Sequence, residues 1–398
     1  FDFRNIVENY VKADNMAANG SSYKGTTTTD DTRHPMHLID KYSLNNNTFR
    51  YMQFLFYVEY LIDNVVERAA GTSQLSDLYS IANGYIKYTD KLDMEVGSFG
   101  FDMDDFFPKW STSKFLTNAP AIQYANLEDY GTVGMWLPTD VIADAVTHIT
   151  LTYYNNAGVQ IGTEDVDKDE ANGSYDSWTQ TASNEIVFFG CFPGNLQNWS
   201  STFQSLVTAG TIQGGYYTIQ DGYYTIQARG ASGKSQLYTI NLNCPNGRGY
   251  ESIRLAWLNQ WGAWDYYTFT KKSIKTISTK GTTYTQLGGT WNEGRYRIDS
   301  YKGGKKAFRV NATEKIKMNT GFVTEDDTVM FEELINSPEV YLLKGYEDIV
   351  ETEKALNQYV TPVRVTSKSF TRKTIANDRL MQYTFEIEKS KTLRTQAV

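Results

Sequence analysis

The chain is poor in the residues on which disulfide-rich and metal-binding proteins depend. Among 398 residues there are two cysteines, Cys191 and Cys244, and three histidines, His34, His37 and His148. Two cysteines make no disulfide framework, so one bridge and two buried thiols remain open alternatives. A structural zinc site normally takes four nitrogen or sulfur ligands, and a serine or cysteine nucleophile normally needs a histidine base. The composition therefore argues against a zinc site and against that class of hydrolase.

Long apolar runs and an excess of positive charge are also absent. The longest apolar run, 51–66 (YMQFLFYVEYLIDNVV), is interrupted by Glu59 and Asp63. It is shorter than the roughly 20 residues that a membrane helix needs, so we expect no membrane span. A net charge of -8 argues against nucleic acid as the main partner, because phosphate binding needs a basic surface. Since the chain begins at Phe1 rather than Met, we expect that a preceding segment is missing or has been removed.

Lysines are concentrated in the C-terminal third of the chain. Such a cluster is typical of a solvated face or of charged edge strands. The lysines concerned are Lys271, Lys272, Lys275, Lys280, Lys302, Lys305 and Lys306.

Aromatic residues, in contrast, are abundant: 29 Tyr, 20 Phe and 8 Trp make up 14 % of the chain. Their side chains suit sheet faces and protein interfaces. The length predicts two or three domains, and 40 % hydrophobic residues are enough for sizeable cores. We predict a mainly β protein with β-sandwich-like domains and a few helices. The predicted domains are a mixed N-terminal region with a flexible arm and a helix (1–114), a β-sandwich-like domain (115–250) and a C-terminal β-rich domain with one helix (251–398).

Apolar spacing predicts that the helices are mostly N-terminal. Phe54, Val58, Leu61 and Val65 recur at intervals of four, three and four, which favours a helix over 51–70. The other predicted helices cover 4–12, 75–88 and 324–336. Runs of β-formers bounded by turn residues predict strands elsewhere. These are 148–154, 159–162, 185–189, 236–243, a hairpin over 252–270 that turns near 259–262, strands near 284, 296–301 and 307–310, and a closing pair at 363–372 and 380–389.

A seven-residue unit is repeated in the segment 211–227, TIQGGYYTIQDGYYTIQ. Asp-Gly between two β-prone runs is a strong hairpin signal, because both turn positions favour positive φ. We therefore predict a β-ribbon with paired tyrosines. Adjacent strand residues point to opposite faces, so one tyrosine of each pair faces away from the core. The predicted interaction surface consists of Tyr216, Tyr217, Tyr223 and Tyr224.

Two ligand-binding patterns are matched only loosely. The segment 228–235, ARGASGKS, resembles a phosphate-binding loop, but the strand-like residues after it predict a hairpin instead of the helix that such a loop needs. Asp165, Asp167, Asp169 and Asp176 have the spacing of oxygen ligands in a calcium loop. The sharp-turn glycine of that loop is absent, so an exposed acidic loop is the favoured interpretation and calcium the alternative.

The densest aromatic cluster has two interpretations. Trp257, Trp261, Trp264, Tyr266 and Tyr267 are placed to form either a stacking platform for sugars or proteins, or a hairpin with aromatic side chains in the core. We favour the core hairpin, since aromatic side chains dominate core energetics as often as interfaces.

Three stretches of the chain, 115–136, 255–273 and 331 to the end, resemble structural proteins of tailed bacteriophage virions, of the tail or neck type. The resemblance covers about two-thirds of the chain, leaves out the first hundred residues, and carries over no functional residue. It implies a subunit of a symmetric ring or tube in the virion, which contacts itself and other virion proteins in the tail, collar or neck.

The sequence therefore predicts a structural protein that is no enzyme and binds no cofactor. Two alternatives stay open. One is a receptor-binding adhesin or lectin-like module. The other is a glycan-degrading enzyme on a β scaffold, which would need two carboxylates facing each other roughly 5 to 9.5 Å apart.

Overall fold

Strands dominate the chain, as predicted. The structure is a computed structural model. It describes residues 4–7, 10–11, 42–45, 48–69, 71, 73–85, 96–97, 100–101, 106–108, 114–137, 146–166, 185–209, 222–230, 233–242, 250–292, 295–325, 327–343, 360–367, 369, 371 and 381–390. Its strands belong to three larger sheets and to several two-stranded ribbons.

The strands are numbered here in chain order. They are β1 (Tyr42–Asn45), β2 (Phe49–Met52), β3 (Leu55–Phe56), β4 (Glu59–Ile62), β5 (Val65–Arg68), β6 (Gln74–Leu75), β7 (Tyr79–Ala82), β8 (Val96–Gly97), β9 (Gly100–Phe101), β10 (Ile122–Ala125), β11 (Thr132–Leu137), β12 (Val146–Tyr154), β13 (Gln160–Val166), β14 (Glu185–Gly190), β15 (Tyr223–Gly230), β16 (Tyr238–Leu242), β17 (Ile253–Leu258), β18 (Trp264–Phe269), β19 (Ile274–Gln286), β20 (Gly289–Asn292), β21 (Arg295–Ile298), β22 (Gly304–Asn319), β23 (Val340–Leu343), β24 (Val360–Val365) and β25 (Thr384–Lys389).

The predicted helix near 324–336 is confirmed, and the helix predicted over 4–12 is found at its start, whereas two further helices lie where none was expected. The helices are α1 (Arg4–Val7), α2 (Pro193–Trp199), α3 (Ser201–Thr208) and α4 (Asp327–Asn336). Asp327 accepts hydrogen bonds from the backbone and the hydroxyl of Thr324, at 2.7 and 3.1 Å, which fixes the start of α4. Helices α2 and α3 were not predicted, and the helices of the described residues are therefore not mostly N-terminal.

The helix predicted over 51–70 is wrong, and so is the one over 75–88 as far as its residues are described. Strands β2 to β7 occupy this region. The chain reverses at Asp63 and Asn64, whose φ angles are 51° and 63°. Two consecutive positive φ angles form the tight turn of a two-residue hairpin, and Asp and Asn tolerate them better than most residues. The β-branched pair Val65–Val66 also favours a strand over a helix.

Two sheets share the first core. One has the order β1-β14-β11, and the other has the order β10-β16-β15-β12-β13, in which only the β10–β16 pair is parallel. The inner side chains of both sheets belong to one hydrophobic cluster. The three-stranded sheet contributes side chains such as Met135 and Phe188 to this core, and the five-stranded sheet contributes side chains such as Leu151 and Ile226. Two sheets that meet through a common apolar layer are typical of a β-sandwich.

The third sheet has seven strands in the order β18-β17-β23-β24-β25-β22-β19. Helix α4 packs against it, and Phe331 of α4 is fully buried with Phe269 and Phe385 of the sheet. The hairpin β17–β18 and the antiparallel pair β24–β25 confirm the two pairs predicted for this part of the chain.

Packing is continuous across residue 250, the predicted boundary between the second and third domains. Ala256 and Trp264 belong to the same core as the two earlier sheets. Arg254 on β17 connects the predicted third domain to the second. Its guanidinium donates to the carbonyl of Tyr130 at 2.7 and 2.9 Å and lies 3.4 Å from the carboxylate of Asp129. This pair is almost fully buried, and its hydrogen bonds offset the cost of removing two charges from water.

Candidate interaction surfaces

The predicted tyrosine surface is only partly described. Tyr216 and Tyr217 lie outside the described residues. Tyr224 is fully buried in the first core, where its hydroxyl donates to the carbonyl of Cys191 at 2.7 Å and burial raises its pKa well above the usual value. It is therefore wrongly assigned to the surface. Tyr223 is half-buried and stacks on Tyr154 with ring centroids 4.8 Å apart, so it remains a candidate.

The calcium candidates are described at one position. Asp165 lies on β13 and accepts a hydrogen bond from Thr150 at 2.7 Å. Asp167, Asp169 and Asp176 lie outside the described residues. In the part of the chain that the structure describes, no three His, Cys, Asp or Glu side chains are grouped as metal ligands. Within the same residues, no helix combines the length and apolar character needed to cross a membrane.

The segment that resembles a phosphate-binding loop connects two strands. The backbone of Gly230 donates to the carbonyl of Gly233 at 3.0 Å, and Arg229 pairs with Lys234 in an antiparallel bridge. The next element is strand β16 instead of a helix, so the segment offers no helix N-terminus to a phosphate. The hairpin interpretation is confirmed.

The aromatic cluster lies in the core. Trp257 is fully buried, and Trp261, Trp264 and Tyr266 are nearly so. The turn between their strands is held by Asn259, whose side chain donates to the carbonyl of Leu116 at 2.8 Å. The core interpretation is confirmed, and this cluster does not form an exposed platform.

A buried carboxylate adjoins this cluster. Asp265 accepts a hydrogen bond from the hydroxyl of Thr117, and burial raises its pKa to about 6. Lys114 lies over the ring of Trp261, with its Nζ 4.8 Å from the centroid, and burial lowers its pKa. These groups connect the segment before β10 to the hairpin β17–β18.

Among the described residues, the largest group of exposed apolar side chains lies on a ribbon in the region predicted to be helical. We call it the apolar arm, residues 49–82. Its three pairs, β2–β7, β3–β6 and β4–β5, continue one another as a single antiparallel hairpin. At about 3.3 Å per residue its first side, residues 49–62, spans roughly 45 Å. Its exposed apolar side chains are Tyr51, Leu55, Phe56, Tyr57, Val58, Tyr60, Leu61, Ile62, Val65, Val66, Leu75, Leu78 and Tyr79.

Both faces of the arm's tip are apolar. Leu61 opposes Val66, and Ile62 opposes Val65. Residues opposite each other share a face and successive residues alternate, so these two pairs lie on opposite sides of the ribbon. Leu61 is 64 % exposed and Val66 62 %. A two-stranded hairpin is marginally stable in water, so this tip is suited to being covered by another surface.

The base of the arm is fixed against the core by close backbone contacts. The backbone of Tyr85 donates to the carbonyl of Gln260 at 2.9 Å. A Cβ on Gly262 would lie 2.3 Å from the carbonyl oxygen of Asn83, and one on Gly84 would lie 2.3 Å from that of Gln260. Only glycine permits this approach at both positions, so the arm is attached to the turn of the β17–β18 hairpin.

A second projecting ribbon leaves the seven-stranded sheet. We call it the basic arm, residues 274–319, which contains β19, β22 and the small ribbon β20–β21 at its end. Strand β22 pairs with β25 only over 315–319, while its pairing with β19 continues to Gly304. Every residue of β19 from Ile274 to Thr285 is exposed. The outer part of this arm is therefore a ribbon with solvent on both faces.

No protein-family model matches the chain, and neither a curated protein nor a solved structure matches it.

Proposed function

We propose that the chain is a structural subunit that works by assembly with copies of itself and with other proteins of a tailed bacteriophage virion. The apolar arm carries this proposal. Full burial of an exposed large apolar side chain contributes about 1.5–3 kcal/mol. Thirteen such side chains of the arm are 38–64 % exposed, so covering each of them would contribute a part of that amount. In an assembly, neighbouring subunits cover these side chains and the free energy of burial stabilises the contact. In a monomer the same side chains stay in water.

The placement of the arms suits a ring or tube. The apolar arm is attached at the turn of the β17–β18 hairpin, and the basic arm extends from the seven-stranded sheet. Each arm therefore offers exposed side chains to a molecule other than the one that carries it. A contact between an arm and a different surface of the next copy is heterologous, and such contacts generate rings or helical tubes. Projecting ribbons also add strands to a neighbour's sheet.

The assignment to a phage virion rests on the three stretches that resemble tail and neck proteins of such virions. These stretches hold parts of the framework: 115–136 contains β10 and most of β11, 255–273 contains most of the β17–β18 hairpin, and the last stretch contains the second half of α4 and β23 to β25. The apolar arm lies outside the resemblance. On this proposal the framework is shared with other virion proteins, and the arm determines the neighbours of this subunit.

Multi-angle light scattering on the purified chain, across a concentration series, tests the self-assembly part. We expect an oligomer of defined mass that appears as ring or tube segments in negative-stain images. A monomer at every concentration, with or without extracts of a phage-infected host, would contradict the proposal. A defined sugar bound on a glycan array would favour the adhesin alternative instead.

A further inference from the structure

Positive charge is concentrated in the segment 271–310, which contains most of the basic arm. Residues 271–310 contain ten Lys or Arg and only two acidic residues, Glu293 and Asp299, so their formal charge is +8. The net charge of the whole chain is -8, and the remaining residues therefore carry -16. A local excess of this size creates a field that extends about one Debye length, near 8 Å at physiological salt.

The strand register places most of the Lys and Arg residues of β19 and β22 on one face, while Lys275 and Lys305 lie on the other. Lys280 opposes Asn311, Thr282 opposes Arg309 and Thr276 opposes Lys315. Since positions 276, 280 and 282 have the same parity in one strand, these pairs share a face. Lys306 shares this face because the register shifts between Thr282 and Thr283, which brings Lys306 opposite Tyr284. Without that bulge, Lys306 would point to the other face. We call Lys280, Lys306 and Arg309 the outer basic face.

Carboxylates neutralise the inner part of this face but not the outer part. Lys315 lies 3.4 Å from Glu386 and 4.0 Å from Glu388, both on β25. Strand β25 ends at Lys389, so it supplies no acidic neighbour further out. Among the residues that the structure describes, no carboxylate lies within ion-pair distance of Lys280 or Arg309.

Protection of an open edge is the simpler explanation for lysines on a ribbon. Charged side chains prevent edge strands from pairing with other chains. That role is met by charge of either sign and needs no preferred face. A docking role needs positive charge on the face that meets the partner. Charge reversal on the outer basic face therefore separates the two explanations.

We propose that the outer basic face docks on the acidic surface of a second copy of this chain. The occupant follows from charge complementarity, because the rest of each copy carries -16. One uninterrupted acidic stretch surrounds α4: residues 318–343 contain six acidic residues and no Lys or Arg. Glu325, which precedes α4, is exposed, and Glu332 on α4 is half-buried. The inference rests on the proposed self-assembly and assigns its orienting contact to the basic arm and the α4 segment.

The test is a charge swap between the two surfaces. K280E/R309E reverses the outer basic face, and E325K/E332K reverses the acidic segment. Sedimentation velocity at low and high salt measures association of each chain alone and of their equimolar mixture. We expect each variant alone to associate on the order of 100-fold more weakly than the natural chain, since like charges then meet. The mixture should recover most of the association, because each reversed arm then meets a reversed helix.

The matched control is R229E/K234E, which reverses an exposed cross-strand pair on the β15–β16 connection. It should associate within about threefold of the natural chain, since it lies outside the proposed contact. Circular dichroism and melting temperature establish that each variant is folded.

The outcomes separate this inference from the proposed function. If the natural chain associates and K280E/R309E associates equally well, the inference is overturned while self-assembly stands. If the natural chain is monomeric throughout, self-assembly itself fails. Failure of the mixture to recover association overturns the assignment to α4. Salt-sensitive binding of a DNA duplex that K280E/R309E loses, with self-association unchanged, would assign the face to nucleic acid and overturn the inference.

Discussion

The apolar arm and the basic arm are built alike and differ in what they expose. Both are two-stranded antiparallel ribbons with faces open to solvent; the apolar arm is attached at the β17–β18 turn and the basic arm extends from the seven-stranded sheet. The apolar arm presents leucine, isoleucine, valine and aromatic side chains, with two basic and four acidic residues between 48 and 82. The basic arm carries a formal charge of +8 over 271–310. One backbone architecture thus supports two kinds of contact.

The two arms would contribute differently to an interface: the apolar arm to its affinity and the basic arm to the orientation of the partner. Apolar burial is non-directional and scales with the area removed from water, so the apolar arm would supply most of the binding free energy. Charge pairing contributes more to association rate and partner orientation than to affinity. In a ring or tube, the first arm would hold neighbours together and the second would fix which surfaces meet.

The largest expected effect contrasts an arm leucine with a core leucine. Leu255 on β17 is fully buried, whereas Leu61 on the apolar arm is 64 % exposed. Leu255→Ala should lower the free energy of unfolding by about 2–5 kcal/mol, because it removes buried contacts and leaves a cavity. Leu61→Ala should change it by less than about 0.5 kcal/mol in the dissociated chain. Urea unfolding at low protein concentration measures both, and a large loss for Leu61→Ala would show that the arm is covered within its own chain.

The next effect tests how the apolar arm is attached. Gly262 and Gly158 have nearly equal positive φ angles, 77° and 75°, so alanine adds similar backbone strain at both. Only at Gly262 would the new Cβ meet the arm's base, 2.3 Å from the carbonyl oxygen of Asn83; at Gly158 the nearest atom is 3.7 Å away. Gly262→Ala should cost at least about 2 kcal/mol more than Gly158→Ala, because backbone on one side must move. If thermal unfolding shows that the two substitutions destabilise the fold equally, the base of the apolar arm is not held against Gly262.

The smallest effect is a pH dependence that belongs to the core and not to either arm. Burial raises the pKa of Asp265 from 3.8 to about 6. The folded chain then binds a proton more tightly than the unfolded chain, so this group stabilises the fold below its unfolded pKa and loses that contribution as pH rises through about 6. Asp265→Asn should reduce the fall in stability between pH 4 and 7. An unchanged pH profile of the urea midpoint would contradict this assignment.

Part of this architecture follows from sequence pattern alone. Local sequence pattern and tertiary packing favour the same structure at four elements. These are the alternating strand 148–154, the strand 185–189, the hairpin with its turn near 259–262, and helix α4. In each case the pattern agrees with burial: strand β14 is apolar from Ile186 to Phe189 and lies between two other strands.

The apolar arm shows where sequence pattern misleads. Phe54, Val58, Leu61 and Val65 have helical spacing, but a ribbon with two apolar faces contains apolar residues at almost every position, so any period fits it. Asp63–Asn64 was the available turn signal. The missed helices α2 and α3 also had signals: Pro193 begins α2, and the Ser200 side chain accepts from the backbone of Phe203 at the start of α3. The register shift that places Lys306 has no local sequence signal, since it depends on how two distant strands pair.

The most direct test of the central claim is the oligomeric state of a chain whose apolar tip has been made polar. Leu61→Asp with Val66→Asp changes one exposed pair of the apolar arm, and Lys280→Gln with Arg309→Gln provides a matched double change on the basic arm. By light scattering we predict a defined oligomer for the natural chain, a folded monomer for the Asp variant, and a weakened oligomer for the Gln variant. An Asp variant that assembles like the natural chain would contradict the claim that the apolar arm holds this protein to its neighbours.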